Sequence, residues 1–453
     1  MNSPAHVFGR RTEPDVEAAI EPQGDVGRVQ RDTNTSHLRA LCLTKIDAAS
    51  LANLPHARIE STIEQLLTDL ATEHRIQLNA REQRQLAIEL VDDMIGLGPL
   101  ESLLADDSIT DIMVNGPDRI FVERRGKLEQ ADIRFRDNVH ATNIAQRIAS
   151  TVGRRVDEAS PMVDARLKDG SRVNIVLPPL AIDGPCMSIR KFAKKSIDFQ
   201  RLVQFGTMTT PIARLLEIAA RCRLNVVISG GTGSGKTTLM NAMSRFIDTH
   251  ERIVTVEDAA ELQLQQPHVV RLETRPQNLE GRGEINQRDL VRNALRMRPD
   301  RIIIGEVRGS EAFDMLQAMN TGHDGSMSTI HANNTRDALA RIENMVQMAS
   351  MGITLRAIRQ QVVSAIDLFV QVERQRDGVR RLVQITEVAG IEGETILLND
   401  VVKTEILGED SSGKLTFRHV IATGRPYFQE QLNYFGLLRT WSAAIEEAQR
   451  GAP

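Results

Sequence analysis

Aromatic side chains are scarce in this 453-residue chain, which holds one Trp, two Tyr and 12 Phe. A protein that stacks single-stranded nucleic acid needs aromatic faces, so that class is disfavoured. Positive charge is not in surplus either: 56 Lys+Arg stand against 60 Asp+Glu, for a formal net charge of −4. A chain that coats nucleic acid carries a basic excess, and this one does not. Cysteine is nearly missing, and Cys42, Cys186 and Cys222 lie far apart. Such spacing fits neither a disulfide framework nor a CxxC metal site. No run approaches the ~20 apolar residues that span a bilayer. The opening MNSPAHVFGRRTEPDVEAAIEP has no apolar core behind its arginines, so it does not read as a secretory leader. The expectation is a cytosolic chain of roughly two or three domains.

What is present divides the chain. Residues 1–36 hold few large apolar side chains and several Pro and Gly, too little apolar surface to offset ordering entropy. They read as a disordered arm, drawn to residue 55. Ile59, Ile63, Leu66, Leu67 and Leu70 then form one helical stripe. A second helix is expected from Asn79, where Asn79 and Glu82 have capping-box spacing; it carries Leu86, Leu90, Val91 and Met94 and stops at Gly96 and Gly98-Pro99. Residues 56–99 are thus a helical extension. ITDIMVNG, Pro117-Asp118 and RIFVERRG read as strand, turn and strand. A helix over about Asn138–Val152 comes next, then a second strand pair turning at Asp169-Gly170. This predicts a small α+β domain over 100–195.

From residue 196 to 453 short β-branched runs alternate with helical segments: NVVISG, a helix over Lys236–Ile247, RIVTVED, HVVRLETR, a helix over Gln287–Arg298, RIIIGEV, a helix over Ser310–Asn320, and SMSTIHA. That rhythm predicts an α/β domain whose parallel sheet is covered on both faces. Helices over about 335–349 and 354–366 lead to a hairpin, DLFVQVER with VRRLVQITEV, turning at Asp377-Gly378. The last 60 or so residues read as strands and a C-terminal helix. There are no internal repeats.

The chemistry concentrates in the α/β part. Gly230-Gly231-Thr232-Gly233-Ser234-Gly235-Lys236-Thr237 matches G-x-x-x-x-G-K-[ST] between an apolar strand and an amphipathic segment. Glycines let backbone N–H groups converge on phosphate oxygens, and the helix N-terminus adds partial positive charge. Lys236 is expected to reach the β/γ-phosphates, and the Thr237 hydroxyl to bind Mg²⁺. RIIIGE is an apolar strand ending in an acid, expected beside the P-loop strand; the usual strand-end Asp is Gly305, and Glu306 comes one place later. There a carboxylate orients and activates water. Glu257, Asp258 and Glu261 come after the strand RIVTV, and like charges at one strand end point to a cation or water held there rather than to a solvated turn. His323 and His331 bracket the next strand, where they could read the γ-phosphate state; no cysteine accompanies them, which disfavours zinc. Arg166, Arg172 and Arg190-Lys191 precede the nucleotide domain and are candidate clamps or fingers, because guanidinium bonds two phosphate oxygens at once.

Together these motifs resemble the secretion and pilus-assembly ATPase superfamily of type II and type IV secretion systems. The residues that carry the resemblance are GLGPLESLLADDSITDIMVNGPDRIFVERRGKL, GGTGSGKTT (ending at Thr238), VTVEDAAEL (the Asp box), RMRPDRIIIGEVRG (a degenerate Walker B) and TGHDGSMSTIHAN (the His box). They span about Leu90–Val388. Within the superfamily the sequence is most similar to the CpaF-type ATPases of Tad/Flp pilus assembly; the tetracysteine zinc module of other branches is missing. The resemblance implies a homohexamer with a RecA-like C-terminal domain under a smaller α+β domain, and ATP with Mg²⁺ held between them. It assigns Lys236 and Thr237 to the Walker A motif, Glu306 to the catalytic glutamate, Glu257, Asp258 and Glu261 to the Asp box, and His323 and His331 to the His box. Arg166, Arg172 and Arg190 match only approximately the arginines that reach the nucleotide. Which carboxylate touches Mg²⁺ stays open. The partners implied are inner-membrane pilus platform proteins, reached from the cytoplasmic face, with no direct nucleic acid. The rival readings are a type IV secretion ATPase moving protein or DNA, a RecA-type helicase, and a nucleotide-gated scaffold without turnover.

Overall fold

The computed structural model describes residues 25–46, 56–192 and 197–450, apart from 125, 168, 276, 278–281, 350–351 and 412. Three helices, Asp25–Lys45, His56–Glu73 and Ala80–Met94, come first. Their apolar stripes meet in one core of Leu38, Cys42, Ile63, Leu67, Leu70 and Leu90, each buried side chain contributing about 1.5–3 kcal/mol. The third helix starts as its sequence predicts. Asn79 Oδ1 accepts from Glu82 N at 2.9 Å and Glu82 Oε2 accepts from Asn79 N at 3.0 Å. The expected arm over 1–55 is corrected in part: residues 25–45 are helical, because Leu38 and Cys42, four apart, complete the core that the next two helices leave open. Residues 1–24 and 47–55 lie outside the described residues.

Arg147 fastens this helical unit to the small domain beside it, its Nη1 donating to the carbonyls of Asp93 (2.8 Å) and Gly96 (2.7 Å). Strands β1 (Ile109–Asn115), β2 (Ile120–Arg124), β3 (Lys127–Gln130), β4 (Met162–Arg166), β5 (Arg172–Val176) and β6 (Cys186–Arg190) form an antiparallel sheet in the order β3-β2-β1-β6-β5-β4. Helix Asn138–Thr151 packs Ile144 and Ile148 onto it. The two expected strand pairs are both there. β6, which the sequence pattern does not single out, joins them at the centre of the sheet.

The second sheet has nine strands: β7 (Val226–Gly230), β8 (Ile253–Glu257), β9 (Val269–Glu273), β10 (Arg301–Val307), β11 (Met327–His331), β12 (Leu368–Arg374), β13 (Arg380–Glu392), β14 (Thr395–Glu409) and β15 (Leu415–Ile421). Their order is β15-β14-β13-β12-β7-β11-β10-β8-β9. From β12 to β9 the pairing is parallel; β13 to β15 extend the sheet antiparallel. Apolar cores fill both faces, so the expected α/β architecture with a parallel, doubly covered sheet holds. One expectation is corrected. The acidic strand β10 does not lie beside the P-loop strand β7, because β11 pairs with both and separates them. Two helices, Phe199–Gln204 and Thr210–Arg221, precede β7 without having been expected.

Candidate functional site

All five residues of β7 are buried, and the strand delivers the chain into the P-loop at the carboxyl edge of the sheet. Gly230 is held against β12: a Cβ there would collide with the Val372 carbonyl and the Ser234 hydroxyl. Gly233 (φ 69°) and Gly235 (φ 98°) are left-handed, a conformation that glycine adopts without a Cβ penalty. Gly235 is the N-cap of helix Lys236–Ser244 and has no side chain to cap it, which leaves the first helical N–H groups directed at the loop mouth. Lys236 Nζ donates to the carbonyls of Gly230 (2.9 Å) and Gly231 (3.0 Å). Burial pulls the Lys236 amine below its ordinary range, with Glu306 and Glu261 pulling the other way. The Ser234 hydroxyl is buried without a partner.

Thr232 through Thr238 line a cleft of about 540 Å³ between the two sheets. Glu306 opens into the same cleft from β10. Ile304 pairs with Ser328 and Val307 with Ile330, so β10 carries two residues, Gly305 and Glu306, where β11 has Thr329 alone. Such a bulge re-aims a side chain. The Thr329 hydroxyl donates to the Gly305 carbonyl at 2.7 Å. The glycine at 305 also has a steric reason, since a Cβ there would lie 3.0 Å from Glu257 Cγ. Burial pushes the Glu306 carboxyl up. A 2.7 Å hydrogen bond from Arg308 Nη2 and the charge of Arg308, helped by Lys236 and His331, outweigh it and hold the group below its ordinary range. Glu306 is therefore an ionised, half-buried acceptor that shares its cleft with Lys236 and the glycine-rich loop.

All three acids of the trio line the cleft, in different surroundings. Glu257 is buried; its Oε2 accepts from the backbone N–H of Glu261 (2.7 Å) and Leu262 (2.8 Å), and burial raises its pKa. It anchors the acidic loop. Asp258 and Glu261 face the cleft, and burial raises the Asp258 pKa against the pull of Arg308. Arg172 crosses from the small sheet to this loop, pairing with Glu261 Oε1 at 3.0 Å and donating to the Ala259 carbonyl at 2.8 Å. Arg190 lines the cleft and pairs with Asp111 at 3.3 Å. Arg166 lies apart, in the adjoining cleft, bonded to Glu273 at 2.8 Å.

The histidines part company. His331, at the end of β11 and in register with Gly230, lines the cleft. His323 precedes β11, at the other end of the sheet, with Nδ1 3.1 Å from the Ala318 carbonyl. The structure does not bring it to the cleft that holds Lys236 and Glu306. Two arginines that the sequence did not single out do lie there. Arg308 holds Glu306 and belongs to the degenerate Walker B segment. Arg380 Nε donates to the Gly233 carbonyl at 2.9 Å, and nothing in the sequence marks it. Among the described residues no group of three or more His, Cys, Asp or Glu could hold a metal ion.

The profile of the family described as type II/IV secretion system protein matches residues 93–402. A Mycobacterium tuberculosis (strain H37Rv) protein provisionally named for conjugal transfer is 42% identical over 310 residues, covering 67% of this chain and 88% of that one. VirB11, a type IV secretion system protein of Bartonella quintana, is 30% identical over 317 residues, covering 61% and 88%. Among solved structures, the VirB11 ATPase of the Brucella suis type IV secretion system, in complex with sulphate, is 28% identical, covers 64% of this chain and 95% of that one, and superposes with a TM-score of 0.35.

Proposed function

The chain belongs to the type II/IV secretion system protein family, and on that membership and the geometry of its cleft we propose that it is an ATP-hydrolysing motor of secretion or pilus machinery. The observation that carries the reading is the meeting of Glu306, ionised by Arg308, with Lys236 and the P-loop in one cleft. The residues present fit a nucleoside triphosphate: left-handed glycines open the loop, uncapped N–H groups point into it, and the buried Ser234 hydroxyl lacks a partner. Lys236 exchanges the Gly230 and Gly231 carbonyls for β/γ-phosphate oxygens. Thr237 is the residue to hold Mg²⁺, which when bound neutralises phosphate charge. Glu306 aligns a water and accepts its proton. Arg172 and Arg190, facing the cleft from the small sheet, stabilise charge on the phosphoryl group being transferred. Asp258, Glu261 and His331 position water and register the γ-phosphate, while Glu257 keeps the loop of Asp258 and Glu261 in place.

We assign the motor to a homohexamer acting at the cytoplasmic face of the inner membrane, through membrane platform proteins and without direct nucleic-acid contact. No described helix is long and apolar enough to cross a membrane. The sequence motifs support Tad/Flp pilus assembly. A second reading, a type IV secretion ATPase moving protein or DNA, is favoured by the relatives named for conjugal transfer and VirB11. Affinity capture from cells separates them: pilus platform proteins support the first and conjugation components the second. Turnover is tested with Glu306→Gln. It should keep ATP binding and slow phosphate release by about 10²–10⁴-fold; normal turnover in that variant excludes the role given to Glu306.

A further inference from the structure

We propose that Thr329 is the positioning residue that aims Glu306, acting through the backbone and without touching nucleotide. This rests on the reading of Glu306 as the group that primes water, and deepens it. Parallel strands β10 and β11 are in register at Ile304 with Ser328 and again at Val307 with Ile330. Between those points Gly305 and Glu306 face Thr329 alone. A strand with one surplus residue has to bend, and the peptide after Gly305 is free to turn in more than one direction.

Contacts on three sides select one. The Thr329 hydroxyl donates to the Gly305 carbonyl at 2.7 Å, and Thr329 is only 1% exposed, so the donor is shielded from water. Across the strand the Glu257 side chain packs close, its Cγ 3.0 Å from where a Cβ on residue 305 would lie, which leaves little room on that side. Arg308 then draws the Glu306 carboxylate from the solvent side at 2.7 Å. Arg308 is 62% exposed, so its pull is screened. The Thr329 bond is the better buried and directional one, and it holds the carbonyl one residue before the carboxylate that does the chemistry. Glu306 at its tip must meet a water within hydrogen-bond reach, and a displacement of about 1 Å costs on the order of 10² in rate.

Steady-state phosphate release by the full chain, with ATP affinity and thermal unfolding measured in parallel, tests the inference. Thr329→Val keeps shape and branching but loses the donor; Thr329→Ala loses the donor without any added bulk. Both should lower kcat by about 10–100-fold while leaving KM and ATP affinity unchanged. Thr329→Ser, which restores a hydroxyl, should stay within about threefold of the unaltered chain. In a Glu306→Gln background, Thr329→Val should slow turnover no further, because the two act as a unit. A donor-less variant with normal kcat, a Ser variant as slow as Val, or multiplicative losses in the double variant would each overturn the proposal. If instead Glu306→Gln itself turns over normally, the reading of Glu306 falls first. The two failures are thereby told apart.

Discussion

Replacing Gly305 with alanine isolates one steric contact at the heart of the cleft. The Gly305 backbone is not left-handed, so alanine meets no conformational penalty there. What it meets is Glu257: the new methyl would lie 3.0 Å from Cγ, 3.5 Å from Cβ and 3.7 Å from Cα. Glu257 is poorly able to retreat, being 2% exposed and tied to the Glu261 and Leu262 N–H groups at 2.7 and 2.8 Å. Overpacking of this kind costs about 1–3 kcal/mol. At 2–4 °C per kcal/mol for a domain of this size, the unfolding midpoint should fall by roughly 2–12 °C. Because residue 306 is next in the chain, phosphate release should fall with it by at least about tenfold. Circular dichroism melts and a phosphate-release assay read the two effects. In a Glu257→Ala background the added methyl should cost little further, since the Cγ at 3.0 Å is gone and the atoms left, at 3.5 and 3.7 Å, make ordinary contact. Unchanged melting and unchanged turnover in Gly305→Ala would refute the argument that Glu257 is what demands glycine there.

Lys236→Ala should abolish binding of a fluorescent ATP analogue, because it removes the ammonium held at the Gly230 and Gly231 carbonyls; retained affinity would contradict the phosphate cradle assigned to the P-loop. Arg308→Ala should move the acid limb of the kcat–pH profile upward. Arg308 is what holds the Glu306 carboxyl below its ordinary range against burial, and the ionised form is the working one, so activity is lost as pH falls through that pKa. An unmoved limb would show that Arg308 does not set it. Leu67→Ala should cost the helical unit about 2–5 kcal/mol, seen as faster proteolysis within residues 25–94, since Leu67 is fully buried with Leu38 and Cys42; an unchanged cleavage pattern would show that Leu67 does not hold that core together.

The cleft was legible where chemistry constrains the backbone. A P-loop needs glycines at fixed places, and Gly233 and Gly235 take the left-handed conformation that demand implies. The capping box at Asn79 was legible for the same reason, being a local pattern with a local geometry. Spatial order was not. Chain order says nothing about β11 entering between β7 and β10, and it suggested that two histidines near one strand would work together when they sit at its opposite ends. Arg380 was invisible because it meets Gly233 across 147 positions of sequence. Helix Asp25–Lys45 was hidden by composition: its apolar residues suffice only once two other helices supply the rest of the core. Helix Thr210–Arg221 did carry a local signal, with Ile212, Leu215, Leu216 and Ala219 at helical spacing and buried, but it stands ahead of the strand–helix alternation that marks the α/β domain and so fell outside that rhythm.

Arg172 stands on the antiparallel sheet yet grips the acidic loop of the parallel one, at the Ala259 oxygen and the Glu261 carboxylate. The loop, for its part, is moored by Glu257, whose flank rests on the strand segment bearing Glu306. Rocking one half of the molecule against the other would part a guanidinium from a peptide oxygen and tug on a mooring that ends beside Glu306. Arg166 to Glu273 and Arg374 to the Gly126 carbonyl also join the two halves. The Arg172 link is the one that leads through the acidic loop to the strand bearing Glu306, so a shift of the small sheet would be felt at that carboxylate.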